Sequence, residues 1–177
     1  LHSTRRRQRQ MCIRDSIITD DFFGIILADD LILSEPGCLK QLLEIHEKTQ
    51  SSVLGVFSAS ENQVSNYGVI SSKNIDGIEK VDCIVEKPKP ADAPSNLAVF
   101  GRYILSKDIF LNIEQTKPGL NNEIQLTDAI QDLISNQDVF ALEFEGIRFD
   151  CGSKEGYISA IIDRALSIDK YKSIIEK

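Results

Sequence analysis

An apolar run that stops on two carboxylates constrains this chain more than any other stretch. It reads Phe22-Phe23-Gly24-Ile25-Ile26-Leu27-Ala28 and then Asp29-Asp30. At that length the run predicts a strand buried on both faces rather than a helix. Open α/β sheets gather their ligands at the C-terminal edges of such strands. The acidic pair then has two readings, a turn or helix cap, or the edge of a site for a divalent cation and a phosphorylated substrate. What else reaches the same edge decides between them.

Downstream, Ser34-Glu35-Pro36-Gly37 has helix-start chemistry, and Leu39, Leu42, Leu43 and Ile45 predict a helix to about Gln50. An apolar strand follows at residues 52–59. Strand, helix and strand form a βαβ unit, which predicts a parallel sheet with a right-handed crossover. Further strands are predicted at 67–70, 78–86, 97–105, 139–144 and 147–150. Helices are predicted from Ser106 to Ile113, from a cap at Asn121 or Asn122 along Leu126, Ala129, Ile130, Leu133 and Ile134, and from Ser153 along Tyr157, Ala160, Ile161 and Leu166. Proline at 88, 90 and 94 predicts an extended surface loop without regular structure. No repeat or linker divides residues 17–177, which read as part of a single domain.

A chain of 177 residues, 42% of them hydrophobic, is long enough for one domain with a real core. Its net charge of -7 is uneven: Arg5, Arg6, Arg7, Arg9 and Arg14 stand against Asp15 alone, so residues 1–16 carry +4 and the remainder -11. So acidic a body argues against nucleic acid as a partner. The basic head has neither apolar periodicity nor aromatic residues to stack on bases. Its string also resembles translated sequencing-adaptor read-through, and residues 1–16 are expected to be disordered and apart from the fold. Cys12, Cys38, Cys83 and Cys151 lack the close spacing of a zinc site. With no membrane-length apolar run and no secretory signal pattern, reduced thiols in a cytoplasmic protein are expected.

Polar residues close four predicted strand edges: Asp29-Asp30, Tyr67-Gly68, Glu86-Lys87 and Asp150. Magnesium takes a small number of carboxylates plus phosphate oxygens, and two aspartates suffice. A lysine supplies a point charge for phosphate, a glutamate accepts from sugar hydroxyls, and a glycine admits close backbone approach. Plainer readings stand beside these. Glu86-Lys87 also reads as a solvated pair leading into the proline loop, Cys151 as a packed thiol, Asp128 as solvent-facing, and His46 as a cation placed favourably late in a helix.

Several segments together resemble one family. They are LADDLI at 27–32, YGVI at 67–70, VEKP at 85–88, APSNLA at 93–98, GRY at 101–103, EIQLTDAI at 123–130 and FDCGS at 149–153. In this order they resemble the C-terminal part of the bacterial UTP-glucose-1-phosphate uridylyltransferases, or UDP-glucose pyrophosphorylases. The resemblance implies an α/β fold with a Rossmann-like mixed sheet of the sugar nucleotidyltransferase type, its N-terminal part missing. It implies Mg²⁺ as cofactor on Asp29 and Asp150, with Lys87 and Asp29 as the catalytic residues. Tyr67 and Gly68 would bound the glucose pocket, Glu86 would bind sugar hydroxyls, Lys87 would contact the sugar phosphate, and Asn96, Gly101 and Glu123 would shape the pocket. Asp30 falls to a neighbour that would shape the sugar pocket. The partners implied are UTP and glucose 1-phosphate, with no nucleic acid and no membrane, in a homo-oligomer when full length. The family's glycine-rich nucleotide segment, GxGTR followed by a lysine, does not occur in this sequence. The chain alone is therefore expected not to make UDP-glucose. Another sugar-1-phosphate nucleotidyltransferase, such as a thymidylyltransferase, and a non-catalytic sugar-phosphate-binding module are the alternatives.

Overall fold

Strand β6 (Leu97–Ser106) is the axis of the molecule because both of its faces are apolar. The computed structural model describes residues 18–118 and 123–175, so the basic head and the caps predicted at Asn121 and Asn122 lie outside the described residues. One face of β6 turns Val99, Tyr103 and Leu105 towards Leu54, Ile70, Ile130 and Leu133. The other turns Phe100 and Ile104 towards Cys38, Leu42 and Val53. Burying one such side chain stabilises the fold by about 1.5–3 kcal/mol, so two apolar faces commit this strand to the middle of the sheet.

Around it lie β1 (Phe22–Ile26), β3 (Ser52–Ser58), β4 (Gly68–Ile75), β5 (Ile78–Glu86) and β7 (Val139–Glu143), in the order β1-β6-β3-β7-β5-β4. β4 also pairs with the start of β6 through Val69 and Ile70, so the sheet curls back onto its own axis. Helix α1 (Cys38–Thr49) packs under the Phe100 face. Helices α2 (Ile109–Gln115) and α3 (Leu126–Asn136) cover the Val99 face through Ile109, Phe110, Ala129, Ile130 and Leu133. A separate ribbon pairs β2 (Asp30–Leu33) antiparallel with β8 (Ile147–Asp150). Then follow α4 (Lys154–Leu166) and α5 (Asp169–Ile175). No helix among the described residues is long and apolar enough to cross a membrane.

The architecture is the mixed α/β arrangement expected, with several corrections. β1 pairs only with β6 among the described residues, antiparallel, and Ile26 is 59% exposed. It is a half-covered edge strand, not a strand buried on both faces. β1 and β3 run the same way, as a βαβ unit requires, but both pair antiparallel with β6, which lies between them. The parallel neighbours are β3 and β7. β4 extends well past the predicted short strand, and the proline loop contains a single 3₁₀ turn at Pro90–Asp92, where Pro90 takes the first-turn position that needs no N–H donor. Gln125, not Asn121 or Asn122, holds the N-cap position of α3. α4 begins beside Ser153 as expected, and the Ser153 hydroxyl caps it by accepting from the Gly156 N–H at 3.0 Å. Only Ala160 of α4 is buried, while Tyr157, Ile158, Ile161, Ile162 and Leu166 are exposed.

Candidate functional site

The apolar run ends in a turn that splits the acidic pair. Pairing of β1 with β6 finishes where the Leu27 N–H donates to the Gly101 carbonyl at 2.9 Å, and the Asp30 N–H returns to the Leu27 carbonyl at 3.4 Å. Arg102 pins this turn by donating to the carbonyls of Gly101, Leu27 and Asp30 at 2.7, 3.1 and 2.6 Å. Asp29 is left exposed at the tip, whereas Asp30 turns inward to open β2 and is only 8% exposed. Gly101 makes room for it: its N–H donates to Asp30 Oδ2 at 2.9 Å, and a Cβ at that position would meet both Leu27 and the same carboxylate oxygen.

Across the ribbon, Asp30 lies opposite Asp150 and Ile32 opposite Arg148. Two carboxylates placed opposite one another on neighbouring strands repel. Arg148, on the diagonal, resolves this: its Nε sits 2.6 Å from Asp30 Oδ1 and its Nη2 lies 3.9 Å from Asp150 Oδ2. Burial pulls the guanidinium's affinity for its proton down. Hydrogen bonds and charge from Tyr67 and Asp30 more than offset that, so the net shift is upward and Arg148 stays charged. Tyr67 donates its phenolic hydrogen to Asp150 Oδ2 at 2.7 Å, and burial followed by this carboxylate pushes the phenol upward.

Asp150 Oδ1 accepts from the Gly152 N–H at 3.1 Å. The position a Cβ would take on Gly152 lies 3.1 Å from this oxygen and 3.4 Å from Asp29 Oδ2. The Cys151 N–H donates to the Asp29 carbonyl at 2.7 Å and ties the two segments together. Two carboxylate oxygens thus converge on a space that any residue with a side chain would fill. No group of three or more His, Cys, Asp or Glu side chains suited to a metal occurs among the described residues. A cation here would rest on two carboxylates and draw its other ligands from water or substrate, which suits magnesium's donor preference.

Tyr67 joins this corner to a second group. Its carbonyl accepts from the Lys87 N–H at 3.0 Å. Lys87 follows β5 directly with φ +44, a left-handed conformation uncommon for a residue with a side chain and one that clusters at functional sites. Its Nζ lies 3.4 Å from Glu86 Oε1 and remains 54% exposed. Glu86 accepts from the Thr127 hydroxyl at 2.9 Å at the start of α3, and a Cβ on Gly68 would collide with Thr127 Cγ2 at 2.6 Å. Asp128, exposed as expected, feels Glu86: burial, then Glu86 and Asp132, raise its carboxyl.

Asp29, Tyr67, Gly68, Glu86, Lys87 and Asp150 therefore form one continuous polar edge, and Gly101 supports it from behind through Asp30. Asn96 is not joined to this edge by these contacts: its carbonyl accepts from the Ala59 N–H at 2.8 Å and its side chain is exposed. Glu123 is half-buried on the segment leading into α3. Arg148, Arg102 and Thr127 had no role assigned from the sequence. A signal for Arg148 was present: in Ile147-Arg148-Phe149-Asp150 the two-residue period puts Arg148 and Asp150 on the same face.

This polar edge on a mixed α/β sheet belongs to a known class: the chain is a member of the nucleotidyl transferase family, whose sequence pattern matches residues 10–165. It is 47% identical over 147 residues to a UTP–glucose-1-phosphate uridylyltransferase of Pseudomonas aeruginosa, covering 81% of this chain and 53% of that protein. A Streptococcus pyogenes protein of the same name is 43% identical over 163 residues, covering 89% of this chain and 54% of that one. Among solved structures, a UDP-glucose pyrophosphorylase in complex with UDP-glucose superposes with a TM-score of 0.84 at 43% identity, covering 87% of this chain and 60% of that chain. These relatives carry the name to which the sequence motifs point. The chain spans about half the length of the curated relatives it matches.

Proposed function

We infer that this chain carries the sugar-phosphate and metal side of a uridylyltransferase that joins UTP to glucose 1-phosphate. The observation that carries the reading is the pair of carboxylate oxygens converging beside Gly152, linked through Tyr67 to Glu86 and Lys87. Relatives at 43 and 47% identity support the uridylyl over the thymidylyl reading. In the reaction, a phosphate oxygen of glucose 1-phosphate forms a bond to the α-phosphorus of UTP while the bond to the β-phosphate breaks and pyrophosphate leaves.

Asp29 and Asp150 would hold Mg²⁺, which when bound supplies positive charge to phosphate oxygens. The exposed Lys87 ammonium provides a second charge for the sugar phosphate, and Glu86 accepts from sugar hydroxyls. Holding both reactants in line is most of the catalysis such chemistry requires, because no side chain has to become covalently attached. Without the glycine-rich nucleotide segment, the 177-residue chain is proposed to bind sugar ligands without releasing pyrophosphate.

Calorimetric titration with UDP-glucose, with and without Mg²⁺, tests the reading. Binding that requires the metal and disappears in Asp29→Asn supports it. Binding indifferent to both overturns it in favour of a plain sugar-phosphate-binding module. Pyrophosphate release dependent on Asp29 would overturn the proposed lack of turnover.

A further inference from the structure

Arg148 is a largely buried cation to which the chemistry above gives no part. Its side chain is 11% exposed, and its guanidinium carbon stands 4.5, 5.0 and 5.8 Å from the ring centres of Phe57, Tyr67 and Phe100. Three aromatic faces and the Asp30 carboxylate fix the orientation of the fork. A planar group that is always charged suits such a box, and the flexible point charge of lysine does not. From inside the box, Nη1 donates to the Tyr67 hydroxyl at 3.4 Å, and that hydroxyl in turn donates to Asp150 Oδ2 at 2.7 Å. Asp150 Oδ1 faces the other way, towards the Gly152 N–H and the side occupied by Asp29.

We propose that Arg148 and Tyr67 are positioning residues that hold Asp150 by Oδ2, so that Oδ1 alone is presented beside Asp29 to a divalent cation. This rests on the reading that Asp29 and Asp150 form the cation site. The competing role for Arg148 is purely structural, to neutralise buried Asp30. Tyr67→Phe separates the two roles, because the ring stays to face the guanidinium and the Asp30–Arg148 pair is untouched. What is removed is the hydroxyl, with its bond to Asp150 and the longer one it accepts from Arg148 Nη1.

The test measures Mn²⁺ binding to the 177-residue chain by electron paramagnetic resonance, which counts free metal and records the line shape of the bound ion. Wild type is expected to bind, and Asp29→Asn to lose binding. Tyr67→Phe is expected to weaken binding about tenfold, the scale of lost outer-shell support to a metal ligand. Its urea midpoint should stay unchanged, and the spectrum at saturating Mn²⁺ should change because a ligand oxygen has been released. Arg148→Lys should weaken binding in the same way, since one ammonium cannot serve Asp30 and Tyr67 together; if that variant fails to fold, Tyr67→Phe decides alone. A Tyr67→Phe affinity within about twofold of wild type, well short of the outer-shell scale, with an unchanged line shape, overturns the positioning role and leaves the cation site standing. Failure of wild type to bind Mn²⁺, or full binding by Asp29→Asn, overturns the site and the positioning role together.

Discussion

The six-stranded sheet and the two-stranded ribbon of this molecule are held by different physics. The sheet is dry: Leu54, Ile70, Leu105, Ile130 and Leu133 are each no more than 1% exposed, and hydrophobic burial offsets the entropy of ordering them. The ribbon has little apolar cover, with Leu31 at 38% and Ile147 at 53% exposure. It is held by a largely buried ion pair, a boxed guanidinium and one turn pinned by Arg102. A core built by area tolerates many sequences of similar volume, whereas a polar network fails when one partner is removed. The Asp29–Asp150 side of the candidate site sits at the end of the ribbon, where fixed polar geometry is available, and its Glu86–Lys87 side at the edge of the sheet.

The largest expected effect tests that contrast most directly. Asp30→Ala leaves the Arg148 charge and the Gly101 N–H buried without their partner, and should lower stability by about 3–5 kcal/mol in urea denaturation. In the sheet, Leu54→Ala should cost about 3 kcal/mol by loss of burial plus the cavity it leaves. A smaller loss for Asp30→Ala than for Leu54→Ala would mean that the ribbon is an accessory to the sheet and not an equal contributor. Ser153→Ala removes the cap of α4 and should cost about 1 kcal/mol, read as reduced helicity and a lower melting midpoint. Because α4 is mostly exposed, an effect of this size would show that local capping, not packing, maintains the helix that follows Asp150.

The smallest effect belongs to pH and to the far hairpin. Hydrogen bonds from Asn74, then Ser72, hold the Glu79 carboxyl below its ordinary value of 4.5. The unfolded chain therefore takes up this proton first on acidification, and the contribution of Glu79 is present above 4.5 and lost as pH falls through its lowered folded value. Glu79→Gln should reduce the difference between urea midpoints taken at about pH 5.5 and about pH 3, and an unchanged difference would show that these bonds do not favour the ionised form.

Much of this was legible in the sequence, for physical reasons that differ by element. β5 and β6 could be placed closely because Pro88 stops the first apolar run and Pro94 precedes the second, and α3 because its stripe follows the helical period. β1 misled: an apolar run signals burial, but nothing within it says how many neighbours the strand will have. The acidic pair misled in the opposite way. Asp29 and Asp30 are adjacent and chemically identical, yet a turn pinned by Arg102 sends one outward and the other into the interior.

The sequence by itself determined the helical periodicities, the start of a helix near Ser153 and the motif order that marks a nucleotidyl transferase. These are local in the chain, and local backbone geometry expresses them directly. Only the tertiary structure decided that Arg148, 118 residues from Asp30, would be its counter-ion and that Tyr67, 83 residues from Asp150, would hold that carboxylate. No spacing encodes such partners. They meet because β2 and β8 pair and bring their polar faces beneath the rings of Phe57, Tyr67 and Phe100, where an unpaired charge would be too unfavourable to keep.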